Sequence, residues 1–98
     1  MTFFAEDIHD RIPKLYETEG DDDPMVWAKL YHPLLGWTWY VIEHDGDDRC
    51  FGLVDGYEKE LGYFSLAELT APVFGCQAGL DTAFQPCKLS AVKCPSPD

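Results

Sequence analysis

Five of the seven residues from Glu17 to Asp23 carry carboxylates: Glu17, Glu19, Asp21, Asp22 and Asp23. The chemistry such a run offers is fixed negative charge presented to a cationic partner. If the run is extended at ~3.3 Å per residue, its charges cover about 20 Å, roughly one per 4 to 5 Å, against ~3.4 Å between phosphates on one DNA strand. Asp45, Asp47 and Asp48 form a second cluster and Glu58 and Glu60 a third. A meander could bring two or three of these patches to one edge of a sheet. The plain alternative is that all are solvated loops that aid solubility. A formal net charge of −11 on 98 residues weighs against that alternative, because self-repulsion works against folding.

Other residue types support less. Asp45-Gly46-Asp47-Asp48 lacks the spacing of an EF-hand loop, which needs ligands at positions 1, 3 and 5, Gly at 6 and Glu at 12, so weak adventitious Ca²⁺ or Mg²⁺ binding is all it predicts. Cys50, Cys76, Cys87 and Cys94 include no C-x-x-C pair, and His9, His32 and His44 include no H-x3–5-H pair, so no zinc site is expected and the thiols read as small buried or idle side chains. Ser65, Ser90 and Ser96 lie in no G-x-S-x-G context, and there is no H-E-x-x-H or Gly-rich phosphate loop. Glu43, Glu58, Glu60 and Glu68 could pair as acid and base, but spacing alone does not pair them. Trp37 and Trp39 share a strand face and could stack bases; with so few cations beside them, core packing is the expectation.

Elements must position these groups. Apolar residues make up 46% and aromatics 14% of the chain, enough for one modest core, so the acidity is not that of a disordered tail. No run approaches the ~18 to 20 apolar residues of a membrane span, and residues 1–10 do not resemble a signal peptide, which predicts a cytoplasmic protein of a bacterial host. Phe4, Ile8 and Ile12 recur every four residues, predicting a helix over Phe4 to Arg11 that ends before Pro13. Glu17 to Pro24 is an exposed loop. Val26, Ala28 and Leu30 alternate with Trp27, Lys29 and Tyr31 in one strand; Trp37 to Ile42, apolar on both faces, is a central one. Asp45-Gly46 turns into a third strand over Arg49 to Val54, and Leu61 to Phe64 supplies a fourth. Ser65-Leu66-Ala67-Glu68 matches a capping box opening a short helix that Pro72 stops. Thr82 to Leu89, with Pro86, reads as an edge strand that could pair with its copy. The fold class is therefore α+β: an antiparallel sheet of four to five strands in a meander, with an N-terminal helix and one short helix. Residues 1–93 form a single domain and 94–98 a loose tail.

The segment Trp37-Thr38-Trp39-Tyr40-Val41-Ile42-Glu43, with Phe51-Gly52-Leu53-Val54-Asp55-Gly56 and Gly62-Tyr63-Phe64-Ser65-Leu66-Ala67-Glu68-Leu69, resembles a family of small bacterial domains of unknown function. The resemblance spans roughly residues 13 to 69 through its W-T-W-Y and G-Y-F-S-x-x-E-L elements. Cys50 stands where a second Phe is usual, and a late G-L-P-x-E-R-D element is reduced to Gly79-Leu80-Asp81. It implies carriage on plasmids, prophages and conjugative elements, hence selection to survive host defences that are largely nucleic-acid enzymes with basic grooves.

Together these readings predict a non-enzymatic interaction protein, without cofactor or metal, that blocks a host nucleic-acid-binding defence complex of the anti-CRISPR or anti-restriction kind by DNA mimicry. The partner surface is Lys/Arg-rich, with no direct nucleic-acid or membrane contact, and the contact residues are the ten carboxylates of the three clusters. Two alternatives stand beside it: an accessory module that binds a basic protein segment without resembling DNA, and a carboxylate- or metal-dependent hydrolase.

Overall fold

A run of alternating and doubly apolar segments needs cover on both sides of a sheet, and the chain supplies it. The computed structural model describes Phe4 and residues 6–93. A helical turn α1 (Glu6–His9) leads through the acidic loop to β1 (Met25–Val26), β2 (Ala28–His32), β3 (Trp37–His44), β4 (Arg49–Asp55) and β5 (Lys59–Ser65). Helix α2 (Leu66–Thr70), β6 (Gly79–Leu80), β7 (Cys87–Lys88) and α3 (Leu89–Lys93) complete the order. Five strands form one antiparallel sheet in the order β5-β4-β3-β2-β6, and β1 pairs with β7 in a separate two-stranded ribbon.

Strand β3 is central because neither of its faces can meet water. On one face, Ala28, Leu30, Trp39, Val41 and Cys50 bury against Phe4, Ile12, Leu66 and Ala78. On the other, Ile42 and Leu53 bury with Val26 and Leu89, flanked by Tyr40, Phe51, Phe84 and Val92. Burying each such branched side chain contributes about 1.5–3 kcal/mol. Trp39 is a core residue and Trp37 a half-buried one, with Tyr57 edge-on to it at 5.3 Å, so the two indoles pack rather than form an open stacking platform.

Several local expectations change. The strand read through Val26, Ala28 and Leu30 breaks at Trp27, whose N–H donates to Val41 O at 2.8 Å; Val26 then enters one core while Ala28 and Leu30 enter the other. Where a helix over Phe4 to Arg11 is predicted, the structure has the turn Glu6–His9, closed by Arg11 and Ile12 N–H donating to Ile8 O. Of Thr82 to Leu89 only Cys87–Lys88 is strand, β7, and it pairs with β1 rather than extending the main sheet, whose edge on that side is β6, paired with β2 along Leu30↔Leu80. The long edge strand is β5. The tail over 94–98 lies outside the described residues.

Helix α3 has no local sequence signal. Its first N–H groups are met from across the chain, Leu89 by Pro24 O at 2.9 Å and Ser90 by Asp23 Oδ1 at 2.8 Å. Helix α2 begins as a half-formed capping box. Ser65 Oγ accepts from Glu68 N–H, while Asp48 supplies the remaining acceptors, its carbonyl to Leu66 N–H and its carboxylate to Ala67 N–H.

Candidate functional site: an acidic end and its cleft

A carboxylate in a packed strand must find donors, and Glu43 shows how. A bulge between Val41 and Glu43 shifts the β3–β4 register and sets Glu43 opposite Phe51, where it is 2% exposed. Gly52 makes room for the bulge, since a Cβ there would stand 1.8 Å from Tyr40 O. Glu43 Oε1 accepts from Tyr16 N–H at 2.7 Å, and Oε2 accepts from Thr18 N–H at 2.8 Å and from the Thr18 hydroxyl at 2.5 Å. His44 N–H donates to Pro13 O at 2.9 Å. The acidic loop is thereby fastened to the end of β3, with Tyr16 in the left-handed region at φ 73°.

The same end carries the β3–β4 hairpin. Asp45 Oδ1 accepts from the N–H groups of Asp47, Asp48 and Arg49, bonds that hold its carboxyl below the usual range, with Gly46 at φ 90° closing the loop. Asp48 is likewise lowered, chiefly by the Ser65 hydroxyl and then by Ala67 N–H. Asp23 is lowered by Ser90, first through its N–H and then through its hydroxyl. Asp21 accepts from Asp23 N–H, and Glu17 from Lys14 N–H. These five charges are held in fixed positions by donated hydrogen bonds.

Eight of the ten predicted contact residues, Glu17, Glu19, Asp21, Asp22, Asp23, Asp45, Asp47 and Asp48, therefore lie in the two loops gathered at the end of β3. Glu58 and Glu60 do not join them. Successive hairpins of a meander turn at opposite ends, so the β4–β5 turn stands a full β4 length away, about 20 Å at ~3.3 Å per residue. Among the described residues, no Lys or Arg side-chain nitrogen comes within 4.0 Å of a carboxylate of the ten; the one ion pair among them is His44 to Asp45.

Sequence reasoning missed two features of this end. Glu43 was legible only as one acid among many, although a lone carboxylate closing an apolar strand is itself the mark of a buried clamp. The second is a cleft of about 350 Å³ between the loop residues Glu19, Asp21 and Asp22 and an apolar wall of Ile42, Phe51, Leu61, Tyr63 and Leu89. Its wall is drawn from four elements, Ile42 of β3, Phe51 of β4, Leu61 and Tyr63 of β5 and Leu89 of α3, and the loop that closes it has no periodic signal.

The other groups weighed for chemistry stay apart. Glu68 is exposed on α2, and Glu58 and Glu60 are exposed at the far turn. Cys50, Cys76 and Cys87 are free thiols, and burial pushes Cys50 up to about 12, far from a reactive thiolate. Among the described residues, no group of three or more His, Cys, Asp or Glu is arranged to hold a metal ion, and no helix is long and apolar enough to cross a membrane.

No curated protein and no solved structure matches the chain. A family model described as a protein of unknown function, DUF2958, matches residues 5–91, well beyond the span of 13 to 69 over which the motifs carry the resemblance. The chain thus belongs to the DUF2958 family of proteins of unknown function.

Proposed function

We propose that this chain is a non-catalytic anionic module that occupies the Lys/Arg-lined groove of a nucleic-acid-binding protein, and that the groove belongs to a host defence complex faced by a mobile element. One observation carries the reading: eight carboxylates share the end of β3, five of them fixed by hydrogen bonds, and none forms a salt bridge to Lys or Arg among the described residues. Charges fixed before contact behave like a phosphate backbone, since the entropy of ordering them is spent in folding rather than in binding. The uncompensated field would speed association with a basic surface and make it salt-sensitive. The contact set is Glu17, Glu19, Asp21, Asp22, Asp23, Asp45, Asp47 and Asp48; Glu58 and Glu60 fall outside it. The mobile-element setting comes from the resemblance, and the protein would act in the bacterial cytoplasm.

The test is affinity capture from a bacterial lysate, repeated at raised salt and with competing duplex DNA. Glu19, Asp22 and Asp47 make no side-chain bond among the described residues, so Glu19→Gln, Asp22→Asn and Asp47→Asn lower the charge without removing a strut. That triple variant should slow association roughly tenfold at low salt, while Glu58→Gln with Glu60→Gln changes little. Competition by duplex marks DNA mimicry; capture that persists with duplex bound marks an accessory module instead. Full binding by the triple variant would overturn the reading.

A further inference from the structure

The cleft beside the acidic loop has two unlike walls, and together they specify an occupant. Phe51 and Tyr63 sit opposite each other across β4 and β5 with ring centroids 5.0 Å apart, and Leu61 continues the same face. Tyr63 and Leu61 are 46% and 45% exposed, so this apolar wall is open to a ligand. Facing it are Glu19, Asp21 and Asp22. Glu43, deeper in, already has both oxygens occupied by the loop and offers little to a newcomer.

A wholly apolar side chain entering here would strip water from the rim carboxylates without replacing it. A small cation would satisfy the rim and leave the wall wet. The group that meets both walls has an apolar stem and a cationic head, and the aromatic pair favours a planar, weakly hydrated head over a compact ammonium. We infer that the cleft receives an arginine side chain of the partner, its guanidinium stacked on Tyr63 and bonded to the rim carboxylates of Asp21 and Asp22. This rests on the proposed reading that the partner surface is cationic protein, and it names the anchor that surface would insert. An arginine anchor adds what a charge pattern alone lacks, discrimination between an Arg-lined and a Lys-lined groove.

Titration of the full chain with blocked hexa-arginine and, separately, blocked hexa-lysine, followed by amide NMR at about 0.05 M salt, tests the inference. Hexa-arginine should move the amides of residues 18–22 and 61–63 saturably and bind more tightly than hexa-lysine. Tyr63→Leu keeps the wall apolar but removes its π face, so it should weaken hexa-arginine about two- to five-fold and leave hexa-lysine unchanged. Equal affinity for the two peptides, indifference of hexa-arginine to Tyr63→Leu, or shifts centred on 45–48 or 58–60 would each overturn the cleft assignment. The outcomes separate from those above. Peptide shifts away from the cleft with partner binding still lost in the Glu19, Asp22 and Asp47 triple variant would sink the anchor alone, whereas cleft binding with full partner capture by that variant would sink the wider reading.

Discussion

Replacing Glu43 should release the acidic loop before it unfolds the sheet. The carboxylate is 2% exposed and accepts three hydrogen bonds, from Tyr16 N–H, Thr18 N–H and the Thr18 hydroxyl. Bonds to a charged acceptor contribute about 1.5–3 kcal/mol each when intact. Three such bonds would sum to more than a marginally stable domain can lose, but the loop can detach and hydrate its donors, which bounds the global cost. For Glu43→Ala we expect a loss of about 3–5 kcal/mol, the range for breaking one side of a buried charged cluster. Glu43→Gln keeps the volume and one acceptor oxygen, but whichever way the amide turns its NH2 meets a backbone donor, Tyr16 N–H or Thr18 N–H. One orphaned donor should cost about 1–3 kcal/mol. At a urea slope of about 1.5 kcal/mol/M, the Ala variant's midpoint falls by about 2–3 M and the Gln variant's by about 1–2 M. Hydrogen exchange gives the local readout: Tyr16 and Thr18 amides should lose protection well ahead of β3 and β4. A Gln variant as stable as the parent, with those two amides still protected, would refute the clamp.

The remaining expectations are shorter. Gly52→Ala places a Cβ against backbone Tyr40 O, which cannot move aside, so circular dichroism melts should show a loss of at least ~3 kcal/mol; Gly62→Ala, with no atom within 4 Å, should stay within about 0.5 kcal/mol. Burial, the largest influence on His44, holds it below its ordinary value of 6.5, outweighing the opposing pull of Asp45. The unfolded chain therefore binds the extra proton first, and stability is complete above about pH 6.5 and falls as pH drops below it; His44→Phe, packed on Phe4 as the imidazole is, should flatten that fall in urea titrations. Because the eight carboxylates at the end of β3 form no salt bridge to Lys or Arg among the described residues, thermal midpoints should rise as salt shortens the Debye length from ~30 Å at 0.01 M to ~8 Å at 0.15 M. A midpoint that falls with salt would mean the acids are ion-paired after all.

Strand periodicity made the sheet legible because period two is a local property. Trp37 to Ile42, apolar on both faces, had to be central, and β3 does lie third of five. The charged tip at Glu58 and the Asp-Gly pair at Asp45 located the two hairpins for the same reason. What escaped was nonlocal. Val26 changes cores because Trp27 breaks the strand to bond Val41 O, and α3 forms because Asp23, 67 residues earlier, supplies its cap. Neither event leaves a periodic trace, and side-chain type in Thr82 to Leu89 does not tell the two strand residues Cys87–Lys88 from the irregular chain before them. The acidic end was half legible. Composition marked every carboxylate, but only topology separates Glu58 and Glu60 from the rest, and it does so by a rule the meander already contained.

The same carboxylates serve as struts and as surface charge, and this governs how the site can be probed. Asp48 holds Ser65 Oγ and Ala67 N–H, and its neighbour Asp47 makes no side-chain bond among the described residues. Loss of partner binding on Asp48→Ala would report a detached α2 as much as a lost charge, whereas Asp47→Asn removes charge alone. Hydrogen bonding also lowers Asp23, Asp45 and Asp48 from 3.8, so these three stay anionic at a pH where unassisted carboxylates begin to neutralise. If charge at the end of β3 drives association, binding followed as pH is lowered should persist below the ordinary aspartate value of 3.8 to the extent that Asp23, Asp45 and Asp48 carry it. Binding that vanishes near pH 6.5 instead would point to His44 and the packing beneath the loop, not to the anionic surface.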